Sequence, residues 1–538
     1  MANLIDITSN ILSQNTICFE TRNINIEQIP VPIDDAKFGI LNFTAVTSGE
    51  TSDELEFLFL VDCSESMSDA CSDGRSKIQH IIHTLKNMIM FFHEHPNIKI
   101  NINVNAFDTQ IYHIISRTKI TDDNLNEIIH KVETILPRGS TNIEYALRKS
   151  SEEIAKLQSE FPNNIINHIF MTDGQATEGS TDVALLQSIV NSNITNSFIG
   201  FGIEHDASLL NAISSVGKSA YYFIDKLESA GLVYGEILHG IVYNLLTEAE
   251  IIIENGLVYN FKTNTWVDSL LIGDIVSEAN KIYNIISSNP DECRVNIKGR
   301  TGDLVVLFPA NLVETQDLTI QTFRQRTLQI LYEANNFYTR RPSHDNSADG
   351  TLFVRFQRTT DPVLLAFEEE KKAFKIKLAN FMEEIKKYMT DNHLEEDKVL
   401  KNLCDDIYIC FRTFGTKFGT MYCTARQTSQ GTQRQYTSSE IGFTEDIYGN
   451  GNGIRRLNAR APGIPQLYRQ TNAVQFDEFP NLPDNYTLPI LQHTMSDFTD
   501  TPYLTPQATQ LMREISRPMR DHDDEYEDEF NIYTQEIN

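Results

Sequence analysis

The chain has 538 residues and a formal net charge of −29, with 41% apolar and 22% charged side chains. That length allows about three to four domains with sizeable cores, and the acidic balance excludes nucleic acid and anionic lipid as main partners. The seven cysteines are odd in number and none stands at CxxC spacing, which argues against a disulfide framework or zinc ribbon and for a reducing compartment.

In chain order, residues 1–50 read as short strands (Thr16–Glu20, Ile24–Ile29, Phe38–Val46) separated by Pro30, Pro32 and an Asp-Asp turn. Strands this short need partners, and a second β-rich stretch of similar character runs from Ile251 to Phe308. The two are read as one β-sandwich (1–50 and 248–310) interrupted by residues 51–247. Within the interruption strand and helix alternate, the signature of an open, mostly parallel sheet with helices on both faces. Leu55–Asp62 is a near-continuous apolar strand. Ile78, Ile81, Ile82, Leu85, Met88, Ile89 and Phe92 then place one buried stripe on a helix from about Gly74 to His95, stopped by Pro96. Strands at Ile98–Phe107, Gln110–Ser116, Ile165–Thr172, Ile194–Gly202 and Tyr221–Ile224 alternate with helices, the last of them Ser229–Leu246.

Residues 311–423 read as helical, a small bundle against the sandwich, with stripes through Phe323–Ala334, Phe367–Tyr388 and Val399–Phe411. The loop Arg340–Gly350 is expected to be exposed. From 424 to 538 the pattern is lost and the chain reads as a largely disordered acidic tail. Thr424–Ser439 and Tyr448–Gly453 are polar and Gly-rich, and Asp521–Glu529 is a solvated acidic run. Within the tail, Ser496–Ser516 stands out as a short docking element, with Thr501–Ser516 as its core; a capped single helix is the plainer alternative.

Three loops carry chemistry. Asp62, Ser64 and Ser66, in the pattern Asp-x-Ser-x-Ser, leave the first buried strand; oxygens at spacing two on a turn converge on one point, as a hard divalent cation requires. A Ser-rich helix cap is the alternative reading of that triplet alone. Gly139-Ser140-Thr141-Asn142 precedes an amphipathic helix, and Met171-Thr172-Asp173-Gly174 ends another apolar strand. Ligands of such sheets bind outside the carboxyl ends of the strands. Cys63 is a small packed residue rather than a ligand.

Together the three loops resemble the metal-ion-dependent adhesion site of the von Willebrand factor A (vWA) family over about Leu55–Leu246. The resemblance implies a Rossmann-like vWA domain inserted in the sandwich, followed by a helical bundle and the tail. It implies Ser64 and Ser66 as direct metal ligands, Thr141 direct or through water, and Asp62 and Asp173 mostly through water. The implied cation is Mg2+, with Mn2+ or Ca2+ as substitutes, and the implied partner is a protein offering an Asp or Glu to the metal. The layout is similar to intracellular vWA proteins of protists, fungi and large DNA viruses. It is also similar to inter-α-inhibitor heavy chains and vWA ubiquitin ligases, although this chain has no RING-type ligand spacing.

The histidines give no competing centre: His168 reads as a packed strand residue, His205-Asp206 as a helix cap, and His80 and His83 as part of a solvated face. GxSxG, Walker A and HExxH are absent from the sequence, so an enzyme is not expected. Without a basic-then-apolar N-terminal segment or an apolar run of about 18 residues, the expected location is cytoplasmic, or within a virion. The expected role is a metal-dependent adaptor or scaffold. A structural component of a virion or large assembly, and a metal-dependent hydrolase or ubiquitin-pathway adaptor, are the alternatives.

Overall fold

A computed structural model describes residues 11–20, 32–33, 35–51, 53–71, 73–202, 205–224, 230–302, 304–339, 362–415, 419–435, 490, 493–494 and 501–517. The expected strand Ile24–Ile29, the loop Arg340–Gly350, the run Tyr448–Gly453 and the acidic run Asp521–Glu529 lie outside the described residues. By internal packing the chain divides into two units, one of residues 1–49, 221–225 and 243–505, the other of residues 50–220, 226–242 and 506–538.

The first unit opens with β1 (Leu12–Phe19) antiparallel to β2 (Lys37–Ala45). The chain then enters the second unit through β3 (Leu55–Asp62), all eight residues of which are buried, as a strand covered on both faces demands. Helix α1 (Lys77–Glu94) follows, opened by a capping box in which Ser76 and Gln79 satisfy each other's backbone donors. Next come β4 (Ile100–Phe107), β5 (Ile111–Lys119), α2 (Leu125–Glu133), α3 (Ile143–Glu160), β6 (Ile165–Thr172), α4 (Val183–Ile189), β7 (Thr195–Phe201), α5 (Ala207–Ile213), β8 (Lys218–Ile224) and α6 (Ala230–Val242). The sheet order is β5-β4-β3-β6-β7-β8. β3 is parallel to both β4 and β6, β6 is parallel to β7, and β5 is antiparallel to its neighbour β4. This is the expected mostly parallel α/β sheet.

Strand β4 alternates Ile and Asn, yet every residue of it is buried. Its amide donors find partners inside: Asn105 donates to Glu153 at 2.6 Å and Asn103 to the same carboxylate, while Asn101 donates to Glu56 at 3.0 Å. Glu56 also takes the Arg117 guanidinium at 2.7 Å, so the buried charge is paired. His80, expected on a solvated face, is instead buried and sits 3.1 Å from Asp73 Oδ1, because the loop before α1 folds back over the helix start.

The remaining strands return to the first unit. They are β9 (Asn244–Glu254), β10 (Leu257–Asn260), β11 (Thr265–Val267), β12 (Ser269–Val276), β13 (Asn280–Ser287), β14 (Arg294–Thr301), β15 (Leu304–Pro309) and β16 (Asn311–Leu312). They form two sheets, β11-β10-β13-β2-β1-β16 and β12-β9-β14-β15. β2 pairs with β13 from Thr44 opposite Asn280 to Lys37 opposite Ser287, so strands from both sides of the insertion share one sheet. Leu41, Phe43 and Ala45 pack with Ile251, Ile253, Val295 and Ile297 between the sheets. The alternate residues Phe38 and Ile40 meet Cys18, Ile286 and Leu318 on the other face, as the two-residue period requires. The last helix of the insertion was expected to reach Leu246; it ends at Val242, and Leu246 is a core residue of β9.

Among the described residues, four helices follow in this unit: α7 (Thr319–Thr339), α8 (Pro362–Asp391), α9 (Lys398–Thr413) and α10 (Gly419–Thr432). They pack on the sandwich through polar anchors. Arg324 donates to the Ile282 carbonyl at 2.7 Å, and Lys281 to the Thr432 and Gln433 carbonyls at 2.7 and 2.6 Å. The stretch from Thr424, expected as linker, is the buried second half of α10 as far as Thr432. It lacks apolar periodicity because its partners are polar: Arg426 pairs with Asp406 at 2.9 Å and Gln430 donates to the same carboxylate at 2.6 Å. Cys18, Cys63, Cys293, Cys404, Cys410 and Cys423 form no disulfide. Helix α11 (Pro506–Ile515), within the expected docking element, packs against α6 and α1 of the second unit.

His168 gives a stability prediction. It is buried in β6, its Nδ1 is 3.1 Å from the Asn196 amide oxygen, and burial pushes its pKa down to about 4. A depressed histidine keeps its stabilising effect above the unfolded value of about 6.5 and loses it as pH falls towards the folded value. The wild-type second unit should therefore lose about 3 kcal/mol from this group between pH 6.5 and 4. Denaturation of His168→Leu over that range should show a pH slope shallower by that amount; parallel slopes would refute the assignment.

Candidate metal centre

The site is built at the carboxyl ends of β3 and β6, where the sheet stops and backbone turns away. Asp62 closes β3 and is fully buried. Its Oδ1 accepts the Ser64 N–H at 2.8 Å and its Oδ2 accepts the Thr172 hydroxyl at 2.6 Å. Burial pushes its pKa up to about 6, against the lowering effect of those two donors. A 3-10 turn, Glu65–Ser68, then carries the chain past Ser66. The Ser64 and Ser66 hydroxyls are 3.1 Å apart, and Ser66 Oγ donates to Asp173 Oδ1 at 2.8 Å.

Backbone hydrogen bonds stitch the three loops together. Arg138 N–H donates to the Cys63 carbonyl at 2.7 Å and Glu65 N–H to the Gly139 carbonyl at 3.1 Å. Thr141 N–H donates to Thr177 Oγ1, and Thr177 N–H returns to the Thr141 carbonyl, both at 2.9 Å. Gly139 has φ +68°, and a Cβ there would stand 2.7 Å from Asp108 Oδ2, so glycine is required on both counts. Asn142 caps α3 by accepting Tyr145 N–H, which fixes where Thr141 stands.

The five expected positions come together. A Cβ built on Gly174 would lie 3.4 Å from Thr141 Oγ1 and 3.7 Å from Ser66 Oγ, so the bare glycine leaves a hollow facing both hydroxyls. Asp62, Ser64, Thr141 and Asp173 are all buried. Among the described residues no three His, Cys, Asp or Glu side chains cluster as a metal site; an ion here would rest on three hydroxyls and two carboxylates, a hard-oxygen set suited to Mg2+ or Ca2+ rather than a soft metal. Cys63 is buried with its thiol pushed up to about 12 by burial, which keeps it neutral and outside that set. His205 is buried too, and burial pushes its pKa down to about 4; Asp206 caps α5 through Leu209 N–H.

Three neighbours went unrecognised in the sequence. Lys77, the first residue of α1, places Nζ 2.6 Å from Asp173 Oδ2 and 3.2 Å from Asp69 Oδ2. Burial works against its charge, but the hydrogen bond to Asp173 raises its pKa above the ordinary lysine value. Thr172 holds Asp62, and Asp108 braces the Gly139 loop, its backbone carbonyl accepting Asn142 N–H at 3.0 Å. The Thr-Asp pair at the end of β6 carried a signal for Thr172, since a strand-end threonine beside an acid points towards the same site. Lys77 lies fifteen positions beyond Asp62 and had none. Thr172→Val should cost about 1–3 kcal/mol, because a buried carboxylate loses a donor. An unchanged urea midpoint would show that this bond contributes nothing.

Comparison with known proteins bears on the α/β region. The model of the von Willebrand factor type A domain matches residues 56–234. A von Willebrand factor A domain-containing protein of Dictyostelium discoideum is 26% identical over 238 residues, covering 41% of this chain and 24% of the relative; the chain thus spans about a quarter of that protein's length. Among solved structures, a von Willebrand factor type A protein from Catenulispora acidiphila matches with TM-score 0.41 and 15% identity, over 61% of this chain and 81% of that one. The ArnB paralog VWA2 from Sulfolobus acidocaldarius matches with TM-score 0.42 and 11% identity, over 78% of this chain and 98% of that one. Residues 56–234 of this chain are a von Willebrand factor type A domain.

Proposed function

We propose that this chain is an adaptor or scaffold that grips a protein partner through a divalent cation held by Asp62, Ser64, Ser66, Thr141 and Asp173. A von Willebrand factor type A domain is a protein-interaction module, and among the described residues no helix is long and apolar enough to cross a membrane. The finer reading rests on one observation: the Thr141 and Ser66 hydroxyls lie 3.4 and 3.7 Å from where a Cβ on Gly174 would stand, and Ser66 is itself linked to Ser64 and to the buried Asp173. Ser64 and Ser66 would hold the ion directly, Thr141 directly or through water, and Asp62 and Asp173 mostly through water. An ion on neutral hydroxyls keeps much of its charge and so attracts an Asp or Glu of a partner, a strong contact in a partly dry setting. Mg2+ suits this sparing use of carboxylates, with Mn2+ or Ca2+ as substitutes.

Calorimetric titration with Mg2+, Mn2+ and Ca2+ tests the site. Saturable binding by wild type and none by Asp62→Ala/Ser64→Ala is expected; ion at about 100 times its Kd should add about 2.7 kcal/mol to wild-type stability. Equal responses of the two proteins would sink the metal reading. Gly174→Ala should fold with near-native stability but bind the ion at least ~10-fold more weakly, since the methyl fills the hollow. Lys77→Met should bind the ion about 10-fold more tightly, because the ammonium that now pairs with Asp173 no longer opposes it. Pull-downs from cell extract in magnesium and in EDTA then identify the partner: a protein captured only by wild type with metal supports adhesion through the ion.

A further inference from the structure

Helix α6 is buried on nearly every side, Glu236 and His239 included. A helix so enclosed needs cover on the side turned from the sheet as well as on the side facing it. Toward the sheet, Tyr234 places its hydroxyl 3.0 Å from Met171 Sδ. On another side the cover is α11. Gly231 and Gly235, one turn apart, bring the two helices close: a Cβ at Gly235 would stand 2.6 Å from Met512 Cα, and one at Gly231 would stand 2.8 Å from Ser516 Cα. Any larger residue at either position would push the incoming backbone away.

The incoming helix is recognised along its length. Ala508, Leu511, Met512 and Ile515 are buried, the i, i+3, i+4, i+7 anchors of a helix lying in a groove. Its C-terminal carbonyls, unsatisfied within the helix, meet donors on α1. Asn87 Nδ2 donates to the Ile515 carbonyl at 2.8 Å and the Arg517 carbonyl at 3.1 Å, and His83 Nε2 lies 2.6 Å from the latter. Arg517 forks onto Glu94 at 3.1 and 3.0 Å. Apolar seat, close-approach glycines and end-reading donors make a complete receptor for one short helix.

We propose that the α1/α6 groove is a second, metal-independent protein-binding surface, and that residues 506–517 fill it as a tethered, displaceable ligand. The partner it fits is an amphipathic helix with a small residue followed by Leu-Met and Ile at these spacings and a basic residue just after its end. At ten residues, α11 is shorter than helices that persist alone in water, so it folds only while docked, and tethering supplies the local concentration that keeps it there. A competing helix of the same chemistry gains access as the tail leaves.

The test uses the full-length chain and a fluorescein-labelled peptide of residues 503–517. Leu511→Asp/Ile515→Asp removes the anchors of the tail and leaves the groove intact. The peptide should bind this variant at least 10-fold more tightly than wild type, and Gly235→Leu added to it should abolish binding. Arg517→Glu, which weakens the tail alone and keeps every apolar anchor and the groove, should give intermediate affinity. Absence of saturable binding to the folded Leu511→Asp/Ile515→Asp variant, or equal binding to wild type, overturns the proposal. Failure of that variant to fold, with wild-type behaviour of Arg517→Glu, overturns it as well, because α11 is then a fixed part of the domain.

Discussion

The buried carboxylate of Asp62 is the constraint on which the α/β unit turns. A charge taken out of water costs several kcal/mol unless donors and counter-charges meet it, and the surrounding chain is arranged to supply them. Thr172 and the Ser64 amide reach its two oxygens, and Ser66 and Lys77 reach the two oxygens of Asp173. The ends of β3 and β6 and the start of α1 are fixed in place by these few bonds. The Thr141 loop is then tied to both neighbours by backbone pairs. A site of this kind stores unfavourable electrostatics in a rigid frame, the usual price of a function-ready arrangement.

Lys77 gives that frame a particular character. Its ammonium stands on one oxygen of Asp173 while Ser66 takes the other, so the carboxylate is compensated by the protein itself. The ordering of the loops therefore does not wait for a ligand. Any cation entering beside Asp173 meets a resident positive charge, and its affinity is set partly by that neighbour and partly by how many hydroxyls face the Gly174 hollow.

The rest of the molecule shows how paired polar groups organise an interior. Arg324 and Lys281 fasten the helices to the sandwich through backbone carbonyls, and Arg426, Gln430 and Asp406 form a buried set between α9 and α10. Burial pushes Asp406 up to about 7, against the opposing pull of Arg426. Such networks specify one arrangement of helices more strictly than apolar contact alone. The glycines of α6 act in the opposite way, specifying a neighbour by the absence of side chains.

The sequence by itself determined the elements whose burial has a period. The unbroken run of β3, the stripe of α1 and the alternation of β2 each announce their surroundings, because a strand or helix with an apolar face has few ways to hide it. The strand ends and loop starts that carry Asp62, Ser64, Ser66, Thr141 and Asp173 were legible too, since such positions are local features. Tertiary structure alone decided the rest. Lys77 acts across a distance that no spacing rule covers, and His80 is buried by a loop folding back rather than by its own helix. The polar half of α10 is interior only because Asp406 and the sandwich offer partners, and α11 is a docked helix only because Gly231 and Gly235 leave room for it. Local pattern records which face is apolar; it does not record which distant polar group or bare backbone will meet the other face.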